Sequence, residues 1–121
     1  MPRADHDSLF KQTFGTPRHA AAELRALLPT AIAAAIDWAT LRVEKGSFVD
    51  EALSARHSDL LYSVHIRGRA ALLYLLFEHQ STSDPLMAYR LLRYIVRIWD
   101  RWLTHDPSST SLPAVVPMVL P

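Results

Sequence analysis

The sequence contains no cysteine, which excludes disulfide frameworks, thiolate zinc sites and cysteine nucleophiles. Its three glycines stand far apart, at positions 15, 46 and 68, so there is no glycine-rich loop that could cradle a phosphate. The longest apolar runs, residues 31–36 and 70–77, are far shorter than the roughly 20 residues needed to span a bilayer. The first residues are polar and lack the apolar stretch of a secretory signal, so we expect a cytoplasmic protein without a membrane partner.

The sequence also lacks a large excess of charge of either sign. Thirteen basic and 12 acidic residues give a formal net charge of +1. Bulk charge alone therefore cannot attract a polyanion, and any DNA contact must come from a local patch. Among the basic residues only Lys11 and Lys45 are lysines, and arginine supplies the rest. The 121 residues, half of them apolar, suit one domain with one core.

Capping residues predict helices in the first third of the chain. The Asp-Ser pair at 7–8 is typical of a helix cap, and Gly15 closes the short helix that follows. Thr16 and Pro17 are typical of the cap and the first position of a second helix. Residues 31–36 predict a further helical turn.

The rest of the chain predicts strands around one long helix. Residues 41–45 alternate as in a short strand, and residues 59–66 and 70–77 predict two antiparallel strands joined by a turn at Gly68. The second of these is apolar throughout, which favours a strand buried on both faces.

A long helix is predicted from Pro85 to about residue 103, with Asp84 as its cap. Residues 113–120 predict a last strand, in which Pro117 belongs at a sheet edge or a bulge. A strand, a covering helix and a final strand indicate a crossover onto the same sheet. The sequence therefore predicts an α/β domain with a small mixed sheet flanked by helices.

Two acidic residues mark corresponding ends of the predicted hairpin. If the hairpin is symmetric about Gly68, Asp59 and Glu78 form a nearly opposed pair with Cβ atoms about 5 Å apart. Two carboxylates at that distance repel unless a proton or a cation lies between them, and Mg²⁺ is the simplest hard cation for oxygen ligands. The alternative is that one residue caps the strand and the other is a solvated strand end.

The predicted long helix carries a row of arginines. They fall within about 80° of one another on a helical wheel, opposite a broad apolar face. The row comprises Arg90, Arg93, Arg97 and Arg101, and the apolar face comprises Leu91, Leu92, Ile95, Val96, Ile98, Trp99, Trp102 and Leu103. The row predicts a surface that contacts DNA phosphates. The alternative is a solvated face paired with acids such as Asp100.

Four stretches, in this order along the chain, resemble the Rpn family of recombination-promoting nucleases, also known as YhgA-like transposases. They are HDSLFKQTF at 6–14, SDLLYSV at 58–64, LLFEHQS at 75–81 and MAYRLLRY at 87–94. The resemblance implies a PD-(D/E)XK, restriction-endonuclease-like core, with the order helix, three strands, helix and strand. The family is usually longer, so we expect residues 1–121 to be a single domain that is truncated at its C-terminus.

The same resemblance implies roles for individual residues. Asp59 and Glu78 would be metal ligands, with the backbone carbonyl of His79 as a third. Gln80 would take the place of the usual lysine; it could orient the attacking water but cannot act as a general base. Because strand neighbours alternate, the His79 side chain is expected to point away from Glu78. A further acid would come from Asp7 or Glu23, and the sequence does not choose between them.

The leading hypothesis is a Mg²⁺-dependent DNA endonuclease in which Asp59 and Glu78 hold the ion. The alternative is a catalytically inactive remnant of a transposase that at most binds DNA, a reading that the truncated end and Gln80 favour. A third hypothesis, a homodimeric interaction domain, rests only on the apolar C-terminal strand.

Overall fold

The computed structural model describes residues 2–79 and 84–121, with side chains from residue 8 onward. Three helices precede three strands, and one further helix and one strand follow; a 3₁₀ turn at Glu51–Leu53 lies between the first two strands. The elements are α1 (Pro2–Phe14), α2 (Pro17–Leu27), α3 (Thr30–Ala35), β1 (Ile36–Glu44), β2 (His57–Ile66), β3 (Arg69–Glu78), α4 (Met87–His105) and β4 (Ala114–Leu120).

The strands form one four-stranded sheet in the order β1-β2-β3-β4. The first three strands are antiparallel neighbours, whereas β4 pairs with β3 in parallel after the chain has crossed over through α4. The predicted small mixed sheet flanked by helices is therefore confirmed, and it is compatible with a restriction-endonuclease-like core. Pro117 lies in the edge strand β4, as its missing N–H donor requires.

A two-residue turn joins β2 to β3. Arg67 and Gly68 both have positive φ angles, of 51° and 78°. Two-residue hairpin loops of this kind match the right-handed twist of the flanking strands. Ile66 and Arg69 are consequently the first paired residues of the hairpin. The turn predicted at Gly68 is confirmed.

The sheet separates two apolar layers. Even-numbered residues of β2 and odd-numbered residues of β3 pack against α1 and α2, where Ala20 and Leu24 are fully buried. The opposite parity of each strand packs against α4, where Tyr94 and Ile98 are buried. Because both faces are covered, residues 71–76 of β3 are all buried. The burial predicted for this strand is confirmed.

Several predicted boundaries near the start of the chain differ from the structure. Helix α1 begins at Pro2, so the prediction of a cap at residues 7–8 is wrong. Helix α2 begins at Pro17 with Thr16 as its cap residue, as predicted. Strand β1 runs over Ile36–Glu44 and is longer than predicted, because a register irregularity between Asp37 and Arg42 hides its alternation.

The start of the long helix also differs. Helix α4 begins at Met87 with Leu86 as its cap residue, so the prediction of Asp84 as cap and Pro85 as first residue is wrong. One carboxyl oxygen of Asp84 accepts the Leu86 N–H at 2.8 Å, and the other pairs with Arg90. Asp84 thus forms a local turn before the helix.

The apolar face predicted for α4 is only partly correct. Tyr94 and Ile98 form the centre of the buried face. Leu92, Val96 and Leu103 are exposed on the far side of the helix, because the sheet covers a narrower stripe than the apolar residues occupy. In the part of the chain that the structure describes, no helix is long and apolar enough to cross a bilayer.

Candidate active site

Asp59 is the buried acidic group on the α4 side of the sheet. The residue is 5% exposed, although it lies only two residues from the start of β2. One carboxyl oxygen accepts the Ser47 hydroxyl at 2.5 Å. The other accepts the Phe48 N–H at 2.8 Å and the Tyr74 hydroxyl at 2.6 Å. A buried acid without such partners would be costly, so these donors account for its burial.

The strand register places Glu78 two residues away from the predicted position. Glu78 is the cross-strand partner of His57, and Asp59 is the partner of Leu76. The prediction of a nearly opposed pair is therefore wrong, because such a pair needs a turn centred between Gly68 and Arg69, whereas the observed turn is centred between Arg67 and Gly68. Asp59 and Glu78 share one face as diagonal neighbours, a relation in which Cα atoms lie about 7–8 Å apart.

His57 is a member of this corner of the sheet that the sequence did not single out for a role. It is 6% exposed, and its Nδ1 atom has no hydrogen-bond partner among the described residues. Burial lowers the pKa of His57, while the nearby charges of Glu78 and Asp84 oppose the shift. Burial therefore favours the neutral form of the His57 ring, and His57 is the cross-strand partner of Glu78. The sequence alone does not indicate a role for His57. The residue becomes a candidate only when the strand register places it directly opposite Glu78.

His79 points to the other face of the sheet, as strand alternation predicts. Its ring packs edge-on against Phe77 and forms a 2.7 Å hydrogen bond with the Ser58 hydroxyl. Its backbone N–H donates to the Arg56 carbonyl at 2.8 Å, which extends the hairpin by one residue. The role of the His79 carbonyl as a metal ligand stays a prediction. Gln80 lies outside the described residues.

The donor chemistry of this corner fits a hard divalent cation in part. Asp59 and Glu78 offer carboxyl oxygens on one face, and such oxygens suit Mg²⁺. A carboxylate has about four lone-pair sites, of which Asp59 already uses three, so one remains for an ion. Within residues 8–79 and 84–121 no cluster of three or more His, Asp or Glu side chains is arranged to hold a metal. The two carboxyl groups can thus supply two ligands.

Of the two candidates for a further acid, the structure describes the side chain of Glu23 alone, and it does not lie at this corner. Glu23 is exposed on α2, whose buried residues pack on the opposite face of the sheet from Asp59. Asp7 lies within α1, and its side chain is outside the described part of the chain.

The arginines of α4 contact protein groups rather than solvent alone. Arg90 pairs with Asp84, whose pKa is lowered by the hydrogen bond from the Leu86 N–H and by Arg90. The row lies opposite the apolar face predicted for the helix, but it lies beside the residues of α4 that are buried, Tyr94 and Ile98. Asp100, named as the alternative partner, is exposed on α4.

The other three arginines hold the segment that follows β1, residues 45–50, which we call the 45–50 loop. Arg93 and Arg97 both contact the Asp50 carboxyl group, at 3.3 and 2.5 Å. Arg97 also donates to the Phe48 carbonyl at 2.8 Å. Arg101 donates to the Lys45 carbonyl and lies over the Phe48 ring, 4.7 Å from its centre. The loop that binds Asp59 is therefore bound from its other side by α4.

The 45–50 loop is the part of the site that the sequence did not predict. Its residues show neither alternation nor helical periodicity, and its partners on α4 lie more than 40 positions along the chain. The one available signal was Gly46, whose positive φ of 101° marks a sharp turn after β1.

Comparison with known proteins gives consistent matches. The family model described as "Putative transposase, YhgA-like" matches residues 4–120. Recombination-promoting nuclease RpnD of Escherichia coli O157:H7 is 40% identical over 114 residues, which are 94% of this chain and 44% of that protein. Recombination-promoting nuclease RpnC of Escherichia coli K12 is 38% identical over 114 residues, 94% of this chain and 37% of RpnC.

A relative named as inactive matches over the same length. The inactive recombination-promoting nuclease-like protein RpnE of Escherichia coli K12 is 35% identical over 114 residues, 94% of this chain and 38% of RpnE. The chain thus spans less than half the length of each of these three relatives. No solved structure matches the chain.

Proposed function

This chain belongs to the YhgA-like transposase family, and on that premise we propose that it is a metal-dependent DNA endonuclease domain that hydrolyses phosphodiester bonds. The nuclease function is that of the named relatives. The observation that carries the proposal is the placing of Asp59 and Glu78 on one face of adjacent strands, next to the arginines of α4. The two carboxyl groups would bind the metal ion, and the arginines would bind the DNA backbone.

Asp59 and Glu78 would hold the ion, which we take to be Mg²⁺, with the His79 carbonyl as a further ligand. When bound, such an ion polarises a phosphoryl oxygen and lowers the pKa of water. The protein's own part is to fix the ligands. Tyr74, which lies outside the 45–50 loop, holds one oxygen of Asp59, as the hydrogen-bonded surroundings of metal ligands commonly do. Gln80 would orient the attacking water.

Tyr74 is suited to remain a donor to Asp59 at any physiological pH. Burial, and next to it the charge of Asp59, raise the pKa of the Tyr74 hydroxyl far above its ordinary value of 10.0. The hydroxyl therefore keeps its proton and continues to donate. A fixed carboxyl orientation limits the motion of a metal ligand, which favours a defined ion geometry.

The arginines of α4 would bind the DNA backbone. Guanidinium groups bind phosphate with two parallel hydrogen bonds, and such contacts give affinity without sequence preference. The side chains of Arg93 and Arg97 are 41% and 36% exposed, so an approaching phosphate can reach them. DNA is accordingly the proposed partner of this surface.

A second candidate function is DNA binding without cleavage. The burial of Asp59 and the existence of a relative named as inactive favour it. Under this alternative Asp59 has a structural role, and DNA binding does not depend on divalent metal.

A plasmid-nicking assay distinguishes the two candidates. Supercoiled plasmid is incubated with Mg²⁺ and the wild type, Asp59→Asn, Glu78→Gln or Asp100→Asn. The first two changes keep side-chain size and remove a proposed ligand charge, whereas Asp100 is an exposed acid on α4. We expect nicking by the wild type and Asp100→Asn only. Equal nicking by all four proteins rejects the site, and metal-independent DNA binding with no nicking establishes the alternative.

A further inference from the structure

We propose that the 45–50 loop blocks the site until DNA binds, and we call it the latch. Its Asp50 carboxyl group occupies the position between Arg93 and Arg97 where a DNA phosphate would bind, which we call the phosphate seat. The inference rests on the proposed function and adds its regulation: DNA would displace Asp50 from the arginines, and release of the loop would open Asp59 to metal. The ligand of the Arg93–Arg97 seat is thus a phosphodiester group of the nucleic acid backbone.

The first support is the geometry around Asp50. Each of its carboxyl oxygens contacts a different arginine, Oδ1 with Arg97 at 2.5 Å and Oδ2 with Arg93 at 3.3 Å. A carboxylate and a phosphate present the same paired oxygens to guanidinium groups, so each can replace the other. The hydrogen bond from Arg97 also lowers the pKa of Asp50, which keeps the carboxyl group ionised at neutral pH.

The second support is the connection between the two ends of the loop. Ser47 and the Phe48 N–H bind Asp59, and Asp50 lies only two residues further along the chain. The Phe48 ring is 6% exposed and packs edge-on against Tyr74. Because the loop is short, a large movement of Asp50 away from Arg93 and Arg97 would also loosen the contacts of the loop to Asp59.

The third support is that α4 holds the loop mainly through groups that a phosphate backbone can replace. Arg97 donates to the Phe48 carbonyl and Arg101 donates to the Lys45 carbonyl, and both could donate to phosphate oxygens instead. The Asp50 side chain is 16% exposed and its arginine partners are more so. Ion pairs whose arginine side chains remain accessible to solvent contribute little net stability, so several phosphates can compete with them.

The change Asp50→Asn tests the latch, with Asp100→Asn, an exposed acid on α4, as a control of equal charge change. In the free protein, we expect amide exchange at Phe48 to be about tenfold faster in Asp50→Asn and unchanged in Asp100→Asn. For a short duplex DNA without metal, we expect Asp50→Asn to bind about 3- to 10-fold more tightly than Asp100→Asn. In the wild type, adding the duplex should speed exchange at Phe48, a measurement that needs no variant.

The possible results separate the latch from the proposed function. Unchanged Phe48 exchange in Asp50→Asn and in the DNA-bound wild type overturns the latch. Equal DNA affinity of Asp50→Asn and Asp100→Asn, in proteins that do bind DNA, overturns the phosphate seat. If none of the proteins binds DNA, the proposed DNA-binding function is rejected. Faster Phe48 exchange in Asp50→Asn would then still support the conclusion that Asp50 keeps the loop in contact with Asp59.

Discussion

The Tyr74 hydroxyl donates a 2.6 Å hydrogen bond to Asp59, although the two residues are diagonal neighbours across β2 and β3 rather than direct partners. Glu78 stands on the other diagonal of Asp59, on the same face of the sheet. Asp59 therefore has a hydrogen-bond donor on one side and a second acid on the other. In this arrangement Tyr74 fixes the orientation of the Asp59 carboxyl group, and Glu78 could bind the same cation as Asp59.

Removing the Tyr74 hydroxyl should affect both stability and activity. We expect Tyr74→Phe to lower the free energy of unfolding by about 1–3 kcal/mol, since Asp59 loses one of its buried donors. Urea denaturation measures the change. The matched control is Tyr62→Phe, because Tyr62 donates to the Phe14 carbonyl on the opposite face. Both variants should lose stability, but only Tyr74→Phe should lose plasmid nicking; equal loss of nicking would contradict the role given to Tyr74.

The Asp50 contacts should weaken in acid. The hydrogen bond from Arg97 lowers the pKa of Asp50 below its ordinary value of 3.8 in the folded protein. A lowered folded-state pKa gives stability that is present above the unfolded-state value and is lost as pH falls through the folded-state value. We expect the stability difference between the wild type and Asp50→Asn to be present at pH 6 and to shrink below about pH 4. Urea denaturation across this range measures it, and a constant difference would refute the assignment.

Removing one arginine of α4 should weaken DNA binding evenly across sequences. We expect Arg97→Ala to reduce affinity for every duplex tested and to lower the slope of log affinity against log salt by about 1. Arg18→Ala is the control, because Arg18 is exposed on α2, on the other side of the sheet. Titrations at several salt concentrations provide the measurement. An equal effect of both changes would point to bulk charge instead of a local seat.

A side chain at Gly46 should be more damaging than one at Gly68. Both glycines have positive φ, so alanine strains the backbone at each. At Gly46 the added Cβ would also lie 2.6 Å from the Arg101 guanidinium, which would have to move from the position in which it donates to the Lys45 carbonyl, whereas at Gly68 nothing lies within 4 Å. We expect Gly46→Ala to lower the free energy of unfolding by more than about 1 kcal/mol and Gly68→Ala to cost less. A greater loss in Gly68→Ala, measured by urea denaturation, would contradict the contact.

Local patterns predicted much of the fold from sequence. The apolar run at residues 70–77 and the turn at Gly68 identify the central hairpin, because both signals lie within a few residues of the structures they specify. An opposed pair of Asp59 and Glu78 would need a turn centred one residue later than the observed turn, and nothing in the sequence shows that Arg67 also adopts a positive φ. That angle is rare for a residue with a side chain, and it moves Glu78 from opposite Asp59 to the diagonal position.

The surroundings of the candidate site were beyond local patterns. Asp50 meets Arg93 and Arg97 only after α4 has packed across the sheet, and no periodicity records such a contact. The sequence predicted the row of arginines on the helix, but not the carboxyl and carbonyl groups that accept their hydrogen bonds. The face of α4 that the sheet covers likewise depends on the sheet, as the exposure of Leu92 and Val96 demonstrates.

The order of pairing in the sheet has a consequence for how the chain assembles. Every residue of β2 pairs with β3 across a two-residue turn, whereas β4 reaches β3 only after the whole of α4. Closing a short loop costs little chain entropy, so hairpin formation can precede the distant parallel pairing. During synthesis the two candidate acids would therefore come together on a newly made hairpin before the ribosome has released the helix that is to cover them.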